Sequence, residues 1–316
     1  MKTLRHSAFR LFQPSAFRLS GFFLAAFSLQ AFSLQASGLS PGSGCYNYTD
    51  SVSGKTLNVW YYKPAEFSPQ TPVLIVMHGM RRNAGQYRDS WVRHAQREKF
   101  MLLTPEFSEE NFPKDSAYNM GNYRSPGGTI NPREQWSFPI VERVFDDFIK
   151  SREKTDARQY YLYGHSAGSQ FVHRFMLLVP EARVKLAICA NAGFYTVPDF
   201  QKNWPHGIKE TGLAQDSLRH YFSRPMVILL GEKDNDPKGA NFPRGRTLDK
   251  QGITRFARGV YFFNFAQAAA EKAGVPFAWK MQVVPGAHHS DPLMSPAAMK
   301  LFVADMTEKK RKNSDK

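Results

Sequence analysis

Short apolar runs recur along the chain, and amphipathic segments lie between most of them. Val73–Met77 is continuously apolar, as a strand buried on both faces requires. Comparable runs cover 100–104, 160–163, 185–189, 226–230 and 277–284, and 56–62 alternates as a strand does. Between them the spacing predicts helices over about 84–99, 138–153, 170–178, 261–273 and 296–308. In the second, Ile140, Val141, Val144, Phe145, Phe148 and Ile149 share one face. Three stretches have neither period. Residues 108–135 form a long loop rich in Pro, Gly, Asn and Tyr, and 191–224 and 235–259 are irregular insertions. Strands alternating with helices in this order require a mostly parallel sheet with helices on both faces, the α/β class.

The amino terminus stands outside this pattern. Lys2, Arg5, Arg10 and Arg18 precede an apolar stretch over 21–34 that ends in small residues at Ala36, Ser37 and Gly38. That is the layout of an export leader over 1–37, so a secreted or periplasmic location is expected. The stretch is too short and too polar, with Ser28, Gln30 and Ser33, for a good membrane span, so no stable membrane insertion is expected after the leader is removed. Short direct repeats, Ser-Ala-Phe-Arg-Leu at 7 and 15 and Ala-Phe-Ser-Leu-Gln at 26 and 31, give it low complexity without a solenoid period. The remainder reads as one domain over 45–308 with a basic disordered tail at 309–316. The 316 residues, 42% of them hydrophobic, are enough for one sizeable core.

The formal net charge of +15 raises nucleic-acid binding, but the basic residues are scattered and no recognition helix, zinc finger or aromatic RNA-binding box accompanies them. No nucleic-acid partner is expected; a basic secreted protein near anionic envelope polymers fits better. Cys45 and Cys189 do not make a disulfide framework. Cys189 lies in an apolar run and reads as a small core residue. Cys45 fits lipid anchoring poorly, because Gly42 stands where an apolar residue is needed.

The chemistry centres on Gly164-His165-Ser166-Ala167-Gly168, which follows a strand and precedes a helix. That is the setting of a nucleophile elbow: a sharp turn that presents Ser166 at a sheet tip, with glycines where side chains would strike the neighbouring strand and helix. A serine needs a base and an orienting acid, which should follow it in that fold at later strand ends, acid first. The strand over 226–230 leads to Asp234 and Asp236, and the strand ending at Val284 leads to His288 and His289. Asp234 comes first and is preferred; Asp236 precedes Pro237 and suits a cap on the next turn. The residues by themselves leave His288 and His289 open. Oxyanion donors are expected from the amide of Ala167, after the nucleophile, and from the amide of Met80, in the loop His78-Gly79-Met80. His78 reads as a brace for that loop. No other histidine has metal-ligand spacing and no phosphate or dinucleotide loop appears, so no cofactor is implied.

With those residues in view, the chain resembles the α/β-hydrolase superfamily over about 55–305. Within it the chain is similar to the secreted esterase branch that includes polyhydroxybutyrate depolymerases and feruloyl-esterase-like enzymes. The resemblance rests on His78-Gly79-Met80-Arg81-Arg82-Asn83, Pro105-Glu106-Phe107, Gly164-His165-Ser166-Ala167-Gly168, Gly231-Glu232-Lys233-Asp234 and Val284-Pro285-Gly286-Ala287-His288-His289. It implies His289 as base and Asp234 as acid, and departs from the branch at His288, where a small residue is usual. The implied activity is carboxylic ester hydrolysis on a small or polymeric ester through a Ser166–His289–Asp234 triad. The three irregular stretches should line the pocket, with Tyr118, Tyr123, Arg124, Trp136, Trp204, Arg244 and Arg246 as candidates to meet an aromatic or carboxylate-bearing substrate. A serine peptidase of the prolyl-oligopeptidase kind and a non-enzymatic envelope protein on the same scaffold are the alternatives.

Overall fold

The computed structural model describes residues 38–239 and 241–314, with side chains through Glu308. The expected leader over 1–37 lies outside the described residues. Eight strands form one sheet: β1 (Gly42–Thr49), β2 (Thr56–Lys63), β3 (Val73–Met77), β4 (Met101–Pro105), β5 (Tyr160–His165), β6 (Val184–Ala190), β7 (Met226–Gly231) and β8 (Trp279–Val284). The helices are α1 (Ala84–Glu98), α2 (Lys114–Ala117), α3 (Ile140–Asp147), α4 (Ala167–Leu178), α5 (Gln215–Ser223), α6 (Arg246–Asp249), α7 (Arg255–Lys272) and α8 (Asp291–Ser314). The strand order is β1-β2-β4-β3-β5-β6-β7-β8. β1–β2 and β2–β4 are antiparallel and every later pair is parallel.

The period of two in the strands divides the core. Val73, Ile75 and Met77 of β3, Tyr160 and Leu162 of β5, and Met226, Ile228 and Leu230 of β7 face one side, against Phe145, Phe171, Phe175, Phe222 and Phe262. Leu74 and Val76, Tyr161 and Tyr163, and Val227 and Leu229 face the other, against Trp91, Ala95, Met294, Ala298 and Phe302. Covering helices on both faces explain why the central strands read as unbroken apolar runs.

The differences from expectation lie at the edges. β1 was not anticipated, although its residues alternate in exposure along the strand. Half of an edge strand faces solvent, so its apolar content is diluted. α5 lies inside the insertion expected to be irregular. α7 begins at Arg255 rather than 261, where the Thr254 hydroxyl accepts the Ala257 amide at 3.1 Å. α8 begins at Asp291 and carries Pro296 inside it, whereas a start at that proline was expected. It continues to Ser314, so the backbone of 309–314 is helical rather than a disordered tail; lysine and arginine are good helix formers and suit the negative end of the helix dipole. Among the described residues no helix is long and apolar enough to cross a membrane.

Phe171 of α4 is fully buried among Phe107, Tyr118, Phe138 and Phe175. Phe171→Ala should lose about 3–5 kcal/mol of unfolding free energy in a urea titration, the usual cost of an aromatic-to-alanine cavity. A loss under about 1 kcal/mol would show that α4 is not packed as described.

Candidate active site

β5 ends at His165 and α4 begins at Ala167, leaving Ser166 to make the whole turn with φ 57° and ψ −118°. A non-glycine residue with positive φ is strained and needs its surroundings to hold it. The Ser166 amide donates to the Ala190 carbonyl of β6 at 3.0 Å. A Cβ on Gly164 would lie 2.2 Å from the Gly168 carbonyl oxygen, and one on Gly168 would lie 2.1 Å from that of Met77. Both glycines are required by backbone contact, and α4 thereby seats directly on β3 and β5. Ala167, as the first residue of α4, carries one of the amides with no intrahelical acceptor, at the positive end of the helix dipole. A Cβ on Gly79 would lie 3.8 Å from that of Ser166, so the Gly79–Met80 turn also closes on the serine.

Two loops at neighbouring strand ends bring in the partners. The Glu232 amide donates to the Val284 carbonyl at 3.1 Å and the Lys233 amide to that of Ala287 at 2.8 Å. The Gly286 amide donates to the Glu232 carboxylate at 2.7 Å, with Gly286 at φ 70°. Ala287 is buried by this lacing, which leaves His288 exposed and turns His289 inward. His289 Nδ1 lies 2.7 Å from Asp234 Oδ2, and His289 Nε2 lies 3.1 Å from Ser166 Oγ. A carboxylate only accepts, so Nδ1 carries the proton and Nε2 is free to accept one from the serine. Asp236 is exposed and accepts the Lys238 amide at 2.8 Å, a turn cap. Of the two aspartates and two histidines, the fold brings Asp234 and His289 to Ser166.

The supporting groups come from elsewhere. His78 braces its loop as expected: Nδ1 bonds the Gly79 carbonyl at 2.9 Å and Nε2 accepts the Phe107 amide at 3.0 Å. Full burial pushes its pKa down to about 3, so it is neutral. His165 packs against His289 with 4.7 Å between ring centres and the rings tilted by 35°, and its Nδ1 bonds the Tyr87 hydroxyl at 3.0 Å. Burial, then the His289 and Arg255 charges, hold its pKa well below the ordinary imidazole range. Asp234 has a second neighbour besides His289, the Arg255 guanidinium at 3.6 Å. Tyr87 and Arg255 carry no motif of their own, whereas His165 lies in the elbow motif; the Thr254 cap was the sequence signal that could have brought Arg255 out of the insertion.

Ser166 opens into a cleft of about 530 Å³ lined by Met80, Arg81, Lys233, Asp236, Arg255 and His288 among others. Of the three stretches expected to line it, only 235–259 does. None of the seven aromatic and basic candidates reaches it. Tyr118 donates to the His78 carbonyl at 2.6 Å, Tyr123 to that of Thr211 at 2.5 Å, and Tyr123 packs on Trp136 and Trp204. Arg124 bonds the Glu210 carbonyl and Arg244 pairs with Asp249. Long loops cover the core with their large side chains and keep them from the cleft. Among the described residues no three His, Cys, Asp or Glu side chains cluster as a metal site needs.

The geometry has close counterparts. Poly(aspartic acid) hydrolase-1 from Sphingomonas sp. KT-1 is 39% identical, with a TM-score of 0.81 over 83% of this chain and 99% of its own. LpqC, a poly(3-hydroxybutyrate) depolymerase from Bordetella parapertussis, is 35% identical, with a TM-score of 0.79 over 83% of this chain and 89% of its own. An S-formylglutathione hydrolase from Agrobacterium tumefaciens shares the fold at 14% identity and a TM-score of 0.56, over 85% of this chain and 96% of its own. No family model and no curated protein matches the chain. The chain belongs to the α/β-hydrolase superfamily, on its esterase branch, and is an enzyme.

Asp291, at the start of α8, is buried on the cleft wall, and its carboxyl pKa is raised from 3.8 to about 6, first by burial, against a hydrogen bond from the Ser90 hydroxyl at 2.6 Å. A carboxyl whose folded pKa is raised contributes its stability below its unfolded value and loses it as pH rises through about 6. Asp291→Asn keeps the neutral form at every pH. It should raise stability by about 2–3 kcal/mol at pH 8 and by almost nothing near pH 4, read by thermal unfolding at both.

Proposed function

We propose that this enzyme is a serine hydrolase that cleaves carboxylic esters through an acyl-enzyme intermediate. The observation that carries the reading is the continuous line Ser166 Oγ, His289 Nε2, His289 Nδ1, Asp234 Oδ2, with separations of 3.1 and 2.7 Å. His289 takes the Ser166 proton as the hydroxyl oxygen attacks the ester carbonyl, and Asp234 orients the ring and stabilises its cation. The Ala167 and Met80 amides hold the oxyanion of the tetrahedral intermediate. The imidazolium then protonates the departing alcohol, and water activated by the same histidine hydrolyses the acyl-serine. The leader composition supports export, so the ester substrate is met outside the cytoplasm.

A second reading is favoured by two observations together. Arg81, Lys233 and Arg255 all reach the cleft, and a neighbour at 39% identity is a hydrolase of poly(aspartic acid), a polyanion. In that reading the same acyl-enzyme forms from an amide of an anionic polymer, and His289 protonates an amine.

The purified enzyme should hydrolyse p-nitrophenyl acetate and butyrate. Ser166→Ala and His289→Ala should each lower kcat by at least roughly a thousandfold while remaining folded, and His288→Ala should stay close to wild type. Loss of activity in His288→Ala alone would move the base by one residue. A wild type inert to these esters and to fluorophosphonate would remove the serine-hydrolase reading. Release of new carboxylates from poly(3-hydroxybutyrate) as against new amines from poly(aspartic acid) separates the ester from the amide reading.

A further inference from the structure

The Asp234 carboxylate is held from two sides. Oδ2 bonds His289 at 2.7 Å, and Oδ1 faces Arg255 Nη1 at 3.6 Å, with the two side chains only 3% and 4% exposed. Arg255 does not reach the acid by chance of a mobile surface chain. It is the first residue of α7, whose cap is Thr254, and the next amide, that of Phe256, donates to the Asp234 main-chain carbonyl at 3.1 Å. Its guanidinium lies 5.0 Å from the Phe242 ring centre. A Cβ on Gly239 would come 2.9 Å from Nη1, so the insertion leaves a gap shaped for the guanidinium. A buried carboxylate with one partner is free to rotate about its last torsion; a second, fixed charge on the other oxygen removes that freedom.

We propose that Arg255 is a positioning residue for the Ser166–His289–Asp234 assembly: it clamps Asp234 from the side opposite His289, so the 235–259 insertion and the first turn of α7 set the aim of the histidine. The inference rests on the serine-hydrolase reading. It differs from a substrate role for the same residue. Arg255 also borders the cleft, and an arginine that bound substrate carboxylate would act on KM for anionic substrates only. A clamp on Asp234 acts on kcat for every substrate, including uncharged ones.

The test uses the full enzyme and a neutral ester, p-nitrophenyl butyrate, with active sites counted by fluorophosphonate labelling. Arg255→Met should lower kcat by about 10–100-fold with little change in KM, the scale of a misaimed catalytic group. The loss should nearly vanish when Asp234→Asn is already present, because the clamp then has nothing to aim. Arg255→Lys, which keeps the charge on a shorter and less directional group, should fall between Arg255→Met and wild type, at least about threefold below the latter. The low-field proton resonance of the His289 Nδ1–H bond to Asp234 should weaken in Arg255→Met and return in Arg255→Lys. If Arg255→Met does not fold, the lysine variant alone decides: a kcat identical to wild type overturns the proposal. Additive losses in the Asp234→Asn background, or a rise in KM confined to anionic esters, overturn it as well. In each of these outcomes the wild type is active and the serine-hydrolase reading stands; a wild type inert to ester and fluorophosphonate ends both.

Discussion

The close approach of bare backbone at Gly164 and Gly168 is the constraint on which the site depends. α4 can start directly above β3 and β5 only because neither glycine has a Cβ to place within about 2 Å of a carbonyl oxygen. That contact forces the chain to turn in one residue, Ser166, at a positive φ that a serine adopts at a cost of order 1–3 kcal/mol. The cost is sustained by the surrounding sheet: the Ser166 amide is tied to β6, and Phe171, one turn further on, is sealed in the core. The strained turn leaves the serine oxygen outside the sheet and the helix amides beneath it.

Charge in the cleft is organised around that turn in layers. His165 and His78 are buried and neutral, and act through ring contacts and hydrogen bonds. Asp234 is buried between His289 on one carboxylate oxygen and the Arg255 guanidinium on the other. Arg81 and Lys233, also on the cleft wall, are exposed. The net charge of +15, scattered in the sequence, is in part gathered here, because Arg81 follows the carboxyl end of β3, and Lys233 and Arg255 follow that of β7 in the same sheet. Ligands meet open α/β sheets at that edge.

The legible elements were those with a sharp period. The buried strands β3, β4, β6 and β7 are packed on both faces, so their apolar runs are unbroken. α1 and α3 each present one apolar face, so their spacing stands out. β1 and α5 were hidden because an edge strand and a helix within an insertion carry a diluted pattern. α7 and α8 were placed too late for a different reason. Thr254 and Asp291 open them with polar residues, and the apolar signal rises only a turn or more afterwards. Pro296 also drew the start of α8 to itself, although a helix tolerates an early proline when tertiary packing holds it.

The sequence by itself determined the class of fold, the strand–turn–helix setting of Ser166 and the order in which an acid and a histidine follow it. These are properties of local pattern: periodicity, glycine spacing and the residues next to a strand end. The tertiary structure decided which of two neighbouring aspartates and two neighbouring histidines meet the serine, which loop lines the cleft, and that Arg255 stands behind Asp234. Adjacent residues point in different directions, and the direction is set by a single turn at Gly286 and by the lacing of two loops more than fifty residues apart in the chain. No local pattern encodes that.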